Sequence, residues 1–225
     1  MHIPDGFIDI PTSVAFAGLA ATGVAISLKG ARSSLDEKTA PLAGLTATFI
    51  FAVQMLNFPV AAGTSGHLLG GALAAVLVGP WAASLALTVV LLMQALLFAD
   101  GGLTALGLNI FNMSLVGVWV GYLIFILVKK FLPENKSSIS IAAFLAGLIS
   151  VPCAAAGFVL QYAIGGTATF SISQVLTAML GTHFLIGIGE GVITALAVGA
   201  VMASRSDLVY GYKGTTQLLE TRVNQ

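Results

Sequence analysis

The chain contains 225 residues, of which 57% are hydrophobic and only 8% are charged, and its mean hydropathy is +1.00. Soluble domains contain about 45–50% apolar and about 25% charged residues, so this composition excludes an ordinary soluble enzyme. Nine basic residues balance nine acidic ones, so no basic surface for nucleic acid is expected. The single cysteine, Cys153, excludes an internal disulfide. We therefore predict an all-α membrane protein in which residues 1–225 form one polytopic domain.

Seven apolar stretches are separated by polar, proline or glycine breaks, and each is a candidate transmembrane helix. They cover about residues 11–28, 41–58, 68–78, 81–98, 104–128, 139–164 and 171–203. The third stretch is too short to cross a membrane alone, since a helical span needs about 20 residues. Six spans with one re-entrant segment are therefore the alternative to seven spans.

The basic residues predict the orientation of the chain. None of them lies in residues 1–10, 59–67, 99–103 or 165–170. With seven spans, all nine fall on one side: Lys29, Arg32, Lys38, Lys129, Lys130, Lys136, Arg205, Lys213 and Arg222. Because basic loops stay in the cytoplasm, we predict an N-terminus outside and a cytoplasmic tail over residues 204–225. Residues 1–10 lack a signal-peptide pattern, and the large His2 favours retention of Met1.

The N-terminal segment, residues 1–10, offers a metal-binding pattern. A chain beginning with X-His can present its α-amine, the backbone nitrogen of His2 and the imidazole Nδ1 of His2 to one metal. Ni(II) and Cu(II) displace the amide proton readily, and four nitrogens in a plane suit Ni(II), Cu(II) and low-spin Co(II). A solvated terminal histidine is the structural alternative. Pro4, Asp5 and Gly6 predict a turn that folds the terminus back.

A second histidine, His67, lies in the glycine-rich sequence PVAAGTSGHLLGG, residues 59–71. The glycines allow close backbone approach. A structural histidine at a helix entry is the alternative to a metal ligand. In the predicted topology His2 and His67 share the outer face, where together they would supply four nitrogens.

Four polar residues in or near the spans are further candidates, either to orient metal ligands by hydrogen bonds or to couple metal release to transport. His183 and Glu190 are seven residues apart, which places them on one helical face. Ionisable groups in a span normally face the protein interior and mark function, although a mutually satisfied pair that locks the bundle is the alternative. Gln54 and Asn57 lie towards the outer end of the second stretch, where they could orient a histidine ring.

The motifs MHIPDGF at residues 1–7 and GTSGHLLGG at residues 63–71 closely resemble the M subunits (CbiM/NikM) of energy-coupling-factor transporters for nickel and cobalt. The likeness extends through GPWAA at residues 79–83 and GIGEG at residues 187–191, and it covers nearly the whole chain. The resemblance implies a subunit that captures Ni(II) or Co(II) from outside through the Met1 amine, the His2 amide and imidazole, and the His67 imidazole. The metal is then a transported substrate, with no prosthetic group.

The resemblance also implies partners in a prokaryotic cell membrane: a small membrane N subunit, a membrane coupling T subunit and cytoplasmic ATPases. The sequence has no Walker motif, so ATP hydrolysis is expected in another chain and this chain is expected not to be an enzyme. The chain ends soon after the seventh stretch, so the fused N component of some relatives is expected to be absent.

The residues of the two histidine motifs look more like those of nickel-type relatives than of cobalt-type ones. This resemblance favours nickel as the substrate, with cobalt for cobalamin synthesis as the alternative. An intramembrane enzyme would have to rely on His183 and Glu190.

Overall fold

The computed structural model describes residues 1–34, 39–56, 58–60, 64–133 and 135–212. Lys38, Asn57 and residues 213–225 of the predicted tail therefore lie outside the described residues. Within these ranges the helices are α1 (Ile10–Ser34), α2 (Thr39–Gln54), α3 (Gly71–Val78), α4 (Pro80–Leu97), α5 (Leu106–Asn109), α6 (Val118–Phe131), α7 (Lys136–Gly165) and α8 (Ile172–Arg205). A π-helical segment (Ile110–Gly117) joins α5 to α6, and two short helical turns (Ser206–Leu208 and Tyr210–Tyr212) follow α8. The strands β1 (Phe58–Val60) and β2 (Thr64–Gly66) form a small antiparallel hairpin.

Five of these helical stretches are long and apolar enough to cross a membrane, counted over the described ranges: α1, α4, the continuous α5–π–α6 unit, α7 and α8. The α2 helix is apolar but only 16 residues long. This architecture confirms the prediction of a predominantly helical, multi-pass membrane protein.

Local sequence signals explain where several helices begin. The Ser171 side chain and Gln174 form a reciprocal capping box at the start of α8, which satisfies backbone N–H groups that would otherwise have no partner. The Asn135 side chain accepts a hydrogen bond from Ser138 N at the start of α7, and Pro80 occupies the first turn of α4, where its missing N–H has no cost.

The third predicted span is a short helix preceded by irregular backbone. All eight residues of α3 are buried, whereas residues 67–70 are not helical. Gly70 and Gly79 flank α3 with φ angles of 77° and 83°, a conformation that glycine adopts without the strain of a side chain. The predicted shortness of this stretch is confirmed, and the helix begins only at Gly71.

The two ends of the bundle contain different groups. Residues 1–9 contact the loop that follows α4 and the last residue of α7, since Gly102 N donates to Ile3 O at 2.9 Å and Asp9 N donates to Gly165 O at 2.7 Å. The start of α4 lies at the other end, where Trp81 packs against Gly30. The Lys129 ammonium is at that end too, donating to the carbonyl of Gly211 at 2.7 Å.

Candidate metal site

The N-terminal segment is part of the protein core. Met1 is 1% exposed and Ile3 is fully buried, in one packed apolar cluster. The predicted turn is present: Phe7 N donates to Pro4 O, and Gly6 has a φ of 73°. This turn directs residues 1–3 into the bundle, so that the terminal amine lies inside the protein.

Hydrogen bonds from two distant parts of the chain hold the segment in place. Ile3 N donates to Asn109 Oδ1 at 2.8 Å, and Asn109 Nδ2 donates back to Ile3 O at 3.2 Å. The Asp5 carboxylate accepts bonds from the backbone N and the hydroxyl of Thr104, at 2.7 and 2.6 Å. Since Asn109 binds both polar groups of the residue after His2, it fixes the backbone on which His2 is carried.

Residues 6–9 are secured by the loop between α7 and α8. Ile8 forms an antiparallel bridge with Gly166, and Thr167 donates to Gly6 O through its hydroxyl and to Phe7 O through its backbone N. The segment is therefore paired in the manner of a short strand before α1 begins.

The structure brings His2 and His67 into direct contact. Their rings stack with centroids 4.6 Å apart and planes inclined by 29°. His2 is 5% exposed and His67 is fully buried. The fold thus brings together two histidines that are 65 positions apart in the chain. Both imidazoles lie in the core beside Met1.

The hydrogen bonds of His67 leave one ring nitrogen for a ligand. His67 Nδ1 lies 2.8 Å from Leu68 O, and a carbonyl can only accept, so Nδ1 carries the proton. Nε2 then holds a lone pair, and it has no hydrogen-bond partner among the described residues. A backbone carbonyl on one ring nitrogen with the other nitrogen available is the usual arrangement of a metal-binding histidine.

An acidic residue lies on the far side of the His2 ring. The ring Nε2 is 3.6 Å from the Asp100 carboxylate, which leaves Nδ1 on the side nearer the backbone. Gly101 (φ 91°) approaches the His2 ring so closely that a Cβ there would lie 2.9 Å from Nδ1. Glycine at position 101 therefore makes room for the histidine.

The segment that carries His67, residues 67–70, is clamped by two helices. The Glu190 carboxylate on α8 accepts from Leu69 N at 2.6 Å and from Gly70 N at 2.9 Å. Gln54 on α2 donates to Leu69 O at 2.5 Å. Side chains thus take the place of the helical partners that residues 67–70 lack, and they fix the backbone two residues from His67.

His183 and Glu190 do not form the mutual pair that their spacing allowed. His183 Nδ1 lies 2.8 Å from Met179 O, whereas both carboxylate oxygens of Glu190 bind the 67–70 segment. The structural alternative of a self-satisfied pair is therefore wrong. Gln54 acts on the backbone of the His67 segment, and Asn57 lies outside the described residues.

Burial keeps the Met1 amine and the His2 imidazole uncharged. It lowers the pKa of the Met1 amine from 8.0 to about 4, although the nearby Asp100 charge opposes this shift. Burial and then the charge of the amine lower the pKa of His2 to about 3. Removing a charged group from water is costly, so the neutral form of both groups is favoured at pH 7.

Side chains alone do not make a metal site in the described ranges, because no group of three or more His, Cys, Asp or Glu residues lies close enough to hold an ion. The main-chain nitrogens of Met1 and His2 are further candidate donors beside the two stacked histidines, because the amine and the amide belong to the segment that carries the His2 ring.

The sequence pattern predicts no role for Asn109, Asp100 or Thr104. Asparagine in the apolar stretch 104–128 was a visible signal, since a polar group in a span needs a partner. Its partner is 106 positions away at Ile3, and no local pattern predicts such a pairing.

Comparisons with known proteins show what this chain is similar to. Residues 2–208 match the family described as the cobalt uptake substrate-specific transmembrane region. A protein of Archaeoglobus fulgidus that carries the name of a putative fused nickel transport protein is 41% identical over 209 residues, which are 93% of this chain and 68% of that protein. The cobalt transport protein CbiM of Sorangium cellulosum is 36% identical, with 93% and 94% of the two chains aligned. The crystal structure of a truncated transition metal transporter superposes with a TM-score of 0.80 at 33% identity, covering 90% of this chain and 99% of the other.

Proposed function

The chain belongs to this cobalt-uptake family (CbiM) of membrane transport components, and from that premise we propose that it captures Ni(II), or alternatively Co(II), outside a prokaryotic cell for ATP-driven uptake. The observation that carries the proposal is the enclosure of Met1 beside the stacked rings of His2 and His67. These residues offer an amine, an amide nitrogen and two imidazoles, and the amide proton is the one that a metal must displace.

The proposed ligands are the Met1 amine, the His2 amide nitrogen, His2 Nδ1 and His67 Nε2. Amine and amide close a five-membered chelate ring, and amide and imidazole close a six-membered one. Four nitrogens in a plane favour Ni(II), and equally low-spin Co(II), over Mg(II) or Ca(II), which prefer oxygen. The nickel name of the relative with 41% identity supports nickel as the first choice, while the CbiM relative keeps cobalt as the alternative.

We further infer seven crossings with the N-terminus outside. Segment 67–70 and α3 together form the third crossing: four non-helical residues span at most about 13 Å and eight helical residues about 12 Å, against a hydrocarbon core of about 30 Å. This arrangement is supported by the contacts of Lys129 at the end of the bundle opposite residues 1–9, because basic groups favour the cytoplasmic side.

Energy for uptake would come from other chains. The proposed partners are a small membrane N subunit, a membrane T subunit and cytoplasmic ATPases, in an energy-coupling-factor ABC transporter. The absence of a Walker motif from the sequence supports this division of labour, since that motif cradles the phosphates of ATP. An enzyme built on His183 and Glu190 is not favoured, because the two side chains bind different backbone groups.

The proposal is tested by titrating the purified chain with Ni(II) and measuring metal content and visible absorption. We expect the wild type to bind a single Ni(II) with the spectrum of a square-planar nitrogen site. His67→Ala should lose tight binding, because one of the four donors is gone. Thr194→Val is the matched control: Thr194 is fully buried on α8, and its hydroxyl has no partner in the described part of the chain. Wild-type metal content in folded His67→Ala would refute the ligand set.

A further inference from the structure

A third histidine repeats the arrangement of His67. His183 is fully buried, and its Nδ1 lies 2.8 Å from the carbonyl of Met179. The carbonyl fixes the proton on Nδ1, so Nε2 holds a lone pair. Across the described residues Nε2 has no hydrogen-bond partner, and burying such a nitrogen without a partner costs stability. Because this cost is retained, we expect the lone pair of Nε2 to serve as a ligand.

The position of His183 on α8 lies between the two parts of the metal site. Met179, one turn before it, belongs to the packed cluster that contains Met1. Glu190, two turns after it, binds Leu69 N in the segment that carries His67. All three α8 residues are on one buried face, so His183 is directed towards the same interior.

Electrostatics agree with this placement. His183 is close enough to His67 and to the Met1 amine for charges on these groups to interact. In the present arrangement, however, no three acidic, thiol or imidazole side chains of the described ranges are close enough to hold one ion. His183 therefore lies near the proposed capture site without being one of its ligands.

His183 lies deeper in the bundle than the start of α8. The start of α8 follows the loop that pairs with residues 6–9, and His183 lies eleven residues beyond Ile172, about 16 Å along the helix. His183 is thus displaced along the bundle from the end that contains residues 1–9.

We propose that His183 is a second metal ligand, which receives Ni(II) or Co(II) from the N-terminal chelate while His67 stays bound, as the first inward step of transport. This proposal rests on the proposed function. In the exchange the bond from the metal to the Met1 amine breaks and a bond to His183 Nε2 forms. Both donors are neutral, so no proton or electron moves. The later departure of the His2 amide nitrogen takes up one proton from water.

The first test separates capture from transport in the variant His183→Leu, with Thr194→Val as the control on the same helix. We expect purified His183→Leu to bind Ni(II) with the wild-type stoichiometry and spectrum, while uptake by the complete transporter falls about 10-fold or more. Thr194→Val should be normal in both assays. Normal uptake by His183→Leu overturns the proposal, and so does loss of Ni(II) from a folded His183→Leu protein, because His183 would then belong to the capture site.

The second test keeps His183 in place and removes the outer donors. In a chain that carries one residue ahead of Met1 together with His2→Ala, the Met1 amine and the His2 imidazole are lost, and the amide nitrogen of residue 2 loses both chelate rings that these two donors close. Weak Co(II) binding should remain, with two imidazoles in the X-ray absorption spectrum, and it should disappear with His67→Ala. No detectable Co(II) binding by this variant in its folded state would overturn the second site. Failure of the wild-type chain to bind metal at all would instead refute the proposed function.

Discussion

The Met1 amine differs from the other proposed ligands because it belongs to the main chain and cannot be removed by a side-chain substitution. Met1 is 1% exposed, so an additional residue has no space in the packed cluster around it. An added residue also turns the amine into an amide and moves the free amine away from His2. We expect one residue added before Met1 to abolish tight Ni(II) binding and to reduce uptake to background.

The control for this extension is an equal addition after Gln225, compared at the same membrane level. That addition should be tolerated, since it is remote from His2 and His67 in the predicted topology. If the N-terminally extended protein takes up and binds Ni(II) normally, the amine is not a ligand.

The protonation states of the donors can be counted by calorimetry. An exposed amine has a pKa of about 8 and is protonated at pH 7, so an unfolded Met-His terminus would release about two protons on chelation. Burial lowers the pKa of the Met1 amine to about 4 and that of His2 to about 3, so both are already neutral. Only the amide proton should then be released between pH 6 and pH 8.

The measurement is titration of Ni(II) at pH 7 in buffers of different ionisation enthalpy. Release of one proton also means that the affinity rises about tenfold for each pH unit, since binding and deprotonation are linked. Release of two protons would show that the amine is protonated before the metal binds.

At the scale of elements, the 67–70 segment depends on α2 and α8 for its shape. In Glu190→Gln a single side-chain carbonyl oxygen replaces the two carboxylate oxygens that accept from Leu69 N and Gly70 N. The side-chain NH2 group then faces one of these two N–H groups, and two donors cannot bond to each other. We expect the free energy of unfolding to fall by about 1–3 kcal/mol and Ni(II) affinity to fall about 10–100-fold. Thermal unfolding and metal titration measure the two effects.

Ser204→Ala is a suitable control for Glu190→Gln, because Ser204 lies on α8 and, within the described part of the chain, its hydroxyl bonds to carbonyls of the preceding turn. A Glu190→Gln protein with wild-type stability and affinity would show that the two hydrogen bonds to the His67 segment have no role in positioning it.

The elements were predictable where a long apolar run is its own signal, as in α7 and α8, which begin and end within a few residues of the predicted stretches. His2 and His67 were predictable as candidate ligands from local chemistry and motif. The hydrogen bonds from Glu190 to segment 67–70 were not predictable, because Glu190 and Leu69 are 121 positions apart in the chain. Hydrophobic periodicity describes the face of one helix only. For the same reason the sequence could not exclude a His183–Glu190 pair.

At the scale of the whole molecule, direction of transport depends on which end of the bundle faces outside. The N-terminal segment shares its end with the loop between α7 and α8 through Gly166 and Thr167, while Gly30 packs at the start of α4 at the other end. Thr169 and Ser33 are both exposed and lie near these respective ends. They provide matched positions for a labelling experiment.

We expect a single cysteine at Thr169, introduced after Cys153→Ala, to react with a membrane-impermeant maleimide on intact cells. A cysteine at Ser33 should react only after the membrane is opened, because positive residues such as Lys29 and Arg32 favour the cytoplasm. Uptake by both variants confirms that the labelled proteins are functional. The reverse pattern would place the stacked histidines on the cytoplasmic side, where the N-terminal chelate would meet metal from inside, and capture for uptake would be impossible with this fold.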